Sequence, residues 1–360
     1  MARIVGHGHT SVDTGVGGPG QPGNYATVEI TGTRQTKIGL TYQGVDAARE
    51  FGVIESFSYI DEAAGQSDRI SINVDNVDGR WANGWMPTAF DRITASIIFT
   101  PESGAPRTLQ CGGFYADDFT IQGPPKSCRI EAVSKPIKNG FSVTQKSKTW
   151  QQVTLSAILT EIAIAAGITL IFDATDTEQI ESVEQSKQTD LDFVTKLCDT
   201  YGKKVKVYAE KFIVYDISAY EVKKPVAIIT PEAVKRWSLS SSVQGTYTGA
   251  QISYTPPKTS TPITVTVGEG ERILYLNESC TSEGEAQTKA RAKVNEENRK
   301  MKEITLTLLE PLFITATSTV EIKGFGSGID GCYFVKKVTH NVSSSGYSVS
   351  LDAYYIQQQI

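Results

Sequence analysis

The stretch from Ser186 to Asp216, SKQTDLDFVTKLCDTYGKKVKVYAEKFIVYD, is the most sharply punctuated piece of the chain, and everything else falls on either side of it. Thr189 followed three residues later by Asp192 is a helix-start signature in which a hydroxyl takes one orphan N–H. Leu191, Val194, Leu197, Cys198 and Tyr201 recur at three-and-four spacing, forming one apolar stripe, and Gly202 supplies the left-handed residue that stops the turn. Val205, Val207, Phe212 and Val214 then alternate with polar residues across the tight Ala209–Glu210–Lys211 connection. That period predicts a half-exposed hairpin after a short one-sided helix.

A chain of 360 residues has room for two or three domains, each with its own core. No apolar run approaches the roughly 18 residues of a membrane span, so no membrane anchor is expected. Residues 1–24 lack the apolar centre of a signal peptide and are rich in Gly and Pro, which predicts a flexible arm. The 40 acidic and 35 basic residues are spread without a basic block, and the net charge of −5 argues against phosphate-backbone binding. Cys111, Cys128, Cys198, Cys280 and Cys332 form no C-x-x-C pair and are odd in number. They read as buried free thiols in a reducing cytoplasm rather than as a zinc site or a disulfide set.

Residues 25–147 read as strand and turn. Ile70, Ile72 and Val74, then Ile93, Ala95, Ile97 and Phe99, then Cys128, Ile130 and Ala132 alternate with polar neighbours, and Gly/Pro breakers separate the runs. This is an all-β domain of sandwich or small-barrel type. Its loop Asp78-Gly-Arg80-Trp81 followed by Trp85-Met-Pro87 suits a sugar-stacking platform or, more simply, an aromatic plug with Arg80 over an indole. A second helix is predicted over Trp150–Ala166, stopped by Gly167, with Ile168, Leu170 and Phe172 continuing as a strand. With the Ser186–Asp216 unit it makes a small α+β domain over 148–218. The acidic loop Asp173, Asp176, Glu178 lacks the alternate oxygens and central Gly of an EF-hand and reads as a solvated loop.

From about Trp237 the β pattern returns, in Ile263, Val265 and Val267, in Ile304, Leu306 and Leu308, and in the long alternation from Tyr347 to Tyr355. One helix, about 283–302, is set into it: Ser282 and Glu285 form a capping box, Ala286, Ala290 and Val294 a thin stripe, and Glu285–Lys289 and Glu296–Lys300 exposed pairs. The two β halves also resemble each other. Gly113-Phe-Tyr115 leads to a strand, a Gly-Pro-Pro turn and the strand Cys128–Val133; Gly331-Cys-Tyr333 leads to a strand, a Ser/Gly turn and the strand Tyr347–Ala353. The two series differ by about one residue, and the match predicts one β module used twice.

The order Q-x-x-x-x-D-L-D-F-V-x-x-L-C-x-x-Y-G-x-x-x-K-V from Gln185, the D-G-R-W-x-x-x-W-x-P loop from Asp78 and the D-G-x-Y-F-V-x-x-V-x-H strand from Asp330 resemble the late control D proteins. These are the baseplate hub family of phage tails and tail-derived particles, and the likeness runs from about residue 50 to 355 in the correct order. The resemblance implies a mainly β fold with an α+β insert. Two tail-tube-like β-barrels, 25–147 and 219–360, would flank the α+β domain at 148–218. It also implies a structural hub assembled in the bacterial cytoplasm into a virion or tail-like particle such as a contractile injection system or bacteriocin. A homotrimer would adapt a six-fold tail tube to a three-fold central spike, with tube or tube-initiator, spike and baseplate wedge proteins as partners. Neither a lysozyme-like insertion nor a fused spike is present, so neither activity carries over.

The alternatives are a tail-associated peptidoglycan hydrolase and a glycan-binding adhesin. A hydrolase needs a carboxylate pair from residues such as Asp117, Asp118 and Glu310, but adjacent residues on a strand point to opposite faces. The histidines are His7 and His9, in the arm, and His340, on the face of Val338 and Val342, and no Gly-x-Ser-x-Gly elbow accompanies them. His340 reads as a core residue. No catalytic, cofactor or metal residue is assigned.

Overall fold

The computed structural model describes residues 26–28, 34–46, 53–88, 90–134, 140–176, 179–208, 211–242, 246–256 and 261–360. The predicted arm with His7 and His9, Glu178, and the Ala209–Glu210 part of the hairpin connection lie outside the described residues.

Alternation builds the first half. Its strands are β1 (Ala26–Val28), β2 (Gln35–Tyr42), β3 (Val45–Asp46), β4 (Ile54–Glu62), β5 (Arg69–Asp75), β6 (Arg92–Thr100), β7 (Arg107–Gln122) and β8 (Ser127–Val133). Ile70, Ile72 and Val74 of β5 turn inward with Phe57 of β4, Ile93 and Ile97 of β6 and Phe114 of β7, forming one core. The polar partners of these residues face out, as a period of two requires.

The middle segment carries β9 (Gln145–Thr154), α1 (Leu155–Ala166), β10 (Thr169–Asp173), β11 (Gln179–Thr189), α2 (Asp190–Thr200), β12 (Lys203–Tyr208) and β13 (Lys211–Asp216) around a separate core. The predicted caps of α2 are in place: Thr189 Oγ1 accepts the Asp192 N–H at 3.1 Å, and Gly202 has φ 69°. Helix α1 begins at Leu155 and not at Trp150, because Thr154 caps it while Trp150 belongs to β9 and stacks on Phe193 at 5.2 Å. Strand β9 pairs with β11, a strand too polar to show an alternating pattern.

The rest of the chain forms α3 (Ile217–Glu221), β14 (Ala227–Ile229), β15 (Val234–Ser241), β16 (Gly249–Tyr254), β17 (Ile263–Gly268), β18 (Ile273–Leu276), α4 (Glu283–Arg299), β19 (Lys302–Leu308), β20 (Thr319–Ile322), β21 (Gly331–Ser343) and β22 (Gly346–Tyr355). The Ile263–Val267 run, expected in the second β module, lies instead in a separate three-stranded sheet, β17-β16-β18, whose core takes Ala286, Ala290 and Val294 of α4. Small residues let the helix sit close to that sheet. Glu296 reaches Lys204 of β12 at 3.4 Å rather than Lys300, while Glu285 pairs with Lys289 as expected.

The two β halves share a strand order. In space β4 to β8 stand as β6-β7-β8-β5-β4, and β15 with β19 to β22 stand as β20-β21-β22-β19-β15. Lettered A to E along the chain, both sets read C-D-E-B-A, and every neighbour is antiparallel. Their irregularities coincide as well. Strand A bulges between Ile54 and Ser56 in one set and between Val234 and Arg236 in the other; strand D bulges between Ala116 and Asp118 and between Val335 and Lys337. Phe90 and Thr317, at φ 75° and 77°, donate their N–H groups to Ala116 O at 2.9 Å and Val335 O at 3.0 Å. Bulges are specific local devices, so their coincidence marks an internal repeat. Aligned on them, Gly331 matches Gly112 rather than Gly113, which accounts for the one-residue offset in the sequence comparison.

The halves are not separate barrels. Strand β4 pairs with β21 from Ser56 opposite Ser343 to Glu62 opposite Lys337, which fuses the sets into one sheet, and neither set closes on itself among the described residues. A buried cation braces that seam. Lys206 Nζ of β12 binds the Asp61 carboxylate, Glu62 O at 2.6 Å and Asp68 Oδ1 at 3.4 Å, while Asp61 Oδ2 accepts the Ala316 N–H at 2.8 Å. One side-chain cluster therefore ties the middle segment to both halves. Removing its cation leaves the Asp61 carboxylate unpaired in a nearly dry site, where an unpaired buried charge costs roughly 3–5 kcal/mol. Lys206→Met should lower the denaturant-measured stability by about that amount, and a loss below about 1 kcal/mol would show that the brace is dispensable.

Candidate functional site

The candidate acids are scattered. Asp117 is the bulged residue of β7 and Asp118 follows it, both exposed, while Glu310 lies beyond β19 and pairs with Arg34 at 2.7 Å. Asp173 accepts the Tyr220 hydroxyl at 2.6 Å, and Asp176 accepts the Ser156 N–H at 3.0 Å, so the acidic loop spends its oxygens separately. Among the described residues no group of His, Cys, Asp and Glu could hold a metal ion. Of the cysteines, Cys111, Cys128, Cys198 and Cys280 are buried free thiols and Cys332 is an exposed one. Burial pushes the Cys128 thiol up to about 11.

Trp81 is 2 % exposed and belongs to the core, and Trp85 meets it edge-on at 5.8 Å with 37 % exposure. Arg80 lies 5.4 Å over the Trp85 ring and is held by Asp78 at 2.5 Å. His340 is buried at the β4–β21 seam, stacked on Tyr59 at 5.8 Å and 2.8 Å from the Tyr347 hydroxyl through Nδ1. Burial lowers its pKa to about 4, so it is neutral at neutral pH. Hydrogen-bonded inside packed rings, it is a core residue at a seam.

What the geometry assembles is a surface. On the face of the fused sheet away from the core, short polar side chains from β4, β5, β8 and β21 line a hollow of ≈ 630 Å³. Asn73 donates to Ser56 at 2.7 Å, Arg129 to Ser71 at 3.0 Å, and Arg129 pairs with Glu131 at 2.8 Å. Charges cancel locally, so this face offers no focused potential to a ligand. Behind it stands the Lys206 cluster. Burial drives the Asp68 carboxyl up to about 7, against Lys206 and the Glu62 N–H, which pull it down. The Lys206 ammonium is desolvated too, but Asp61 and Asp68 outweigh that and hold it above its ordinary value.

The most prominent feature of the structure is thus a pair of matched strand sets fused edge to edge. A model of the phage tail baseplate hub (GPD) family matches residues 139–346, more than half of the chain. The chain belongs to the phage tail baseplate hub family. The hub is 22 % identical over 362 residues to the "Probable baseplate hub protein" of Escherichia phage 186, spanning 87 % of this chain and 91 % of the relative. Its fold is similar to that of the 43 kDa tail protein of prophage MuSo2 from Shewanella oneidensis, with a TM-score of 0.69 and 12 % identity over 89 % of this chain and 98 % of that one. An E. coli component of the type VI secretion system is also similar, with a TM-score of 0.57 and 14 % identity over 89 % and 77 % of the two chains. The hub is thus a structural component of a phage tail baseplate, mainly β in fold.

The sequence had no signal for the Lys206 cluster, because Lys206 lies 145 residues from Asp61 and 138 from Asp68 in the chain. The raised Asp68 pKa predicts a pH-dependent stability. With its folded pKa raised from 3.8 to about 7, Asp68 contributes stability that is full below pH 4 and is lost as pH rises through 7. Asp68→Asn is neutral throughout and should escape that loss. Its melting temperature relative to the parent should therefore rise steadily from pH 4 to pH 7, and a constant difference over that range would contradict the assignment.

Proposed function

We propose that the hub is the adaptor between a six-fold tail tube and a three-fold central spike, acting as a homotrimer whose three chains set six matched strand sets in a ring. The repeated C-D-E-B-A order with its shared bulges carries this reading: a chain holding two equivalent units turns three-fold symmetry into six near-equal positions. Each unit is then a wall of a tube-like barrel whose strands are completed by its neighbours. Spreading the open edges around a ring buries them, which removes an aggregation liability.

The polar hollow on the fused sheet suits the bore of such a ring, where short hydroxyl and amide groups with paired charges would let a passing polymer slide without sticking. The tube protein contacts one rim of the ring and the spike the other, with wedge proteins outside and assembly in the host cytoplasm before incorporation into the particle. The role is non-enzymatic, a reading supported by the separation of Asp117 and Asp118 from Glu310 and by the core position of His340. Counting copies in purified tails by quantitative mass spectrometry tests this: three hub chains per tail are expected, and one or six would refute the adaptor.

A further inference from the structure

The seam inside the chain predicts the seam between chains. Resting on the homotrimer reading, we infer that β15 of one copy pairs antiparallel with residues 118–122 of β7 in the next copy, in the register that β4 and β21 use internally. The argument is one of equivalence. Aligned on their bulges, β15 corresponds to β4 and β7 to β21, so Leu239 stands where Tyr59 does, Trp237 where Phe57 does, and Ile121 where His340 does.

Within the chain, strand A of the first unit lies on the outer flank of strand D of the second, with Tyr59 opposite His340 and Ile60 opposite Thr339. The complementary pair has no such contact. Among the described residues β15 ladders only with β19, and β7 beyond Tyr115 only with β8. Their side chains show the missing cover. Phe57 is 1 % exposed while Trp237 is 44 % exposed, and His340 is 1 % exposed while Ile121 is 37 % exposed. Strand edges carrying exposed apolar residues call for a partner, and a second copy presents the one edge whose shape the chain already uses.

The contact joins two different edges, so it is heterologous and propagates around a ring. Each chain carries one donor edge and one acceptor edge, and three chains close after three such contacts alternating with three internal ones. Transferring the internal register puts Ile121 opposite Leu239, Thr120 opposite Ser240 and Gln122 opposite Ser238.

Disulfide trapping in purified tails tests the pairing. In the full chain with the exposed Cys332 changed to Ser, Thr120→Cys combined with Ser240→Cys should oxidise to covalent trimers on a non-reducing gel, while each single variant stays monomeric. Thr120→Cys with Arg236→Cys, four residues or roughly 13 Å out of register, should not cross-link. Tails that hold three hub copies but give no Thr120–Ser240 cross-link, or cross-link both pairs equally, overturn the strand pairing and leave the homotrimer standing. A copy number other than three overturns both. If the variants do not enter tails, amide hydrogen exchange on the parent gives the same decision: 118–122 and 236–241 should be protected in tails and open in the free chain, and equal exchange in both states overturns the pairing.

Discussion

The ladder between β4 and β21 is the constraint on which the rest of the hub depends. It joins strands more than 250 residues apart in the chain, and once it forms the angle between the two strand sets is no longer free. Side chains on its buried face secure it. On the core face Tyr59 and His340 stack, and at its end Lys206 gathers Asp61, the Glu62 carbonyl and Asp68. A hinge at this point would let the two units rotate against each other, and a ring built from flexible links would not hold a defined diameter. A buried ion pair is a poor source of stability but a good source of geometry, because only one arrangement satisfies all of its partners. The Asp61 carboxylate, which takes both Lys206 and the Ala316 N–H, illustrates that use.

Where the repeats differ, the differences separate framework from attachment. In the first unit β4 and β5 are joined by the short turn from Ala63 to Asp68, whereas between β15 and β19 the chain inserts β16, β17, β18 and α4. Helix α4 then leans on the middle segment, where Tyr201 donates to Glu285 at 3.0 Å and the helix passes against Gly202 with Ala292 3.4 Å from the place of a Cβ. Its far end is fixed by Arg299, which grips Glu221 of α3 at 2.6 Å. Glu221 also takes the Tyr354 hydroxyl at 2.6 Å. The inserted module is thus bound to the middle segment and, through Glu221 of α3, shares a partner with β22 of the repeat.

Much of this was legible in the sequence, and the reason is local. Helix α2 announces itself through Thr189, its apolar stripe and Gly202, and α4 through Ser282 and Glu285, because caps and periodicity are written within a few residues of where they act. His340 could be placed in the core from the company of Val338 and Val342. The repeat showed in Gly-x-Tyr runs, but its alignment needed the bulges, which leave no fixed residue signature. Strands β9 and β11 were missed because they pair with each other as polar ribbons, burying little on either face. The removal of β16 to β18 into a sheet of their own, and the fusion of the two units through β4 and β21, are choices of partner between strands with similar alternation. Hydrophobic pattern fixes which face of a strand is buried, but not which strand lies beside it.

The central claim is that two units in one chain supply near-equal positions around a ring. An electron cryo-microscopy map of the assembled tail, averaged first with three-fold and then with six-fold symmetry, tests it directly. Six-fold averaging should keep strand separation in the layer holding β4 to β8 and β15 with β19 to β22, and blur the layer of α1, α2 and α4. Strand density that six-fold averaging destroys as fully as the helices would contradict the account.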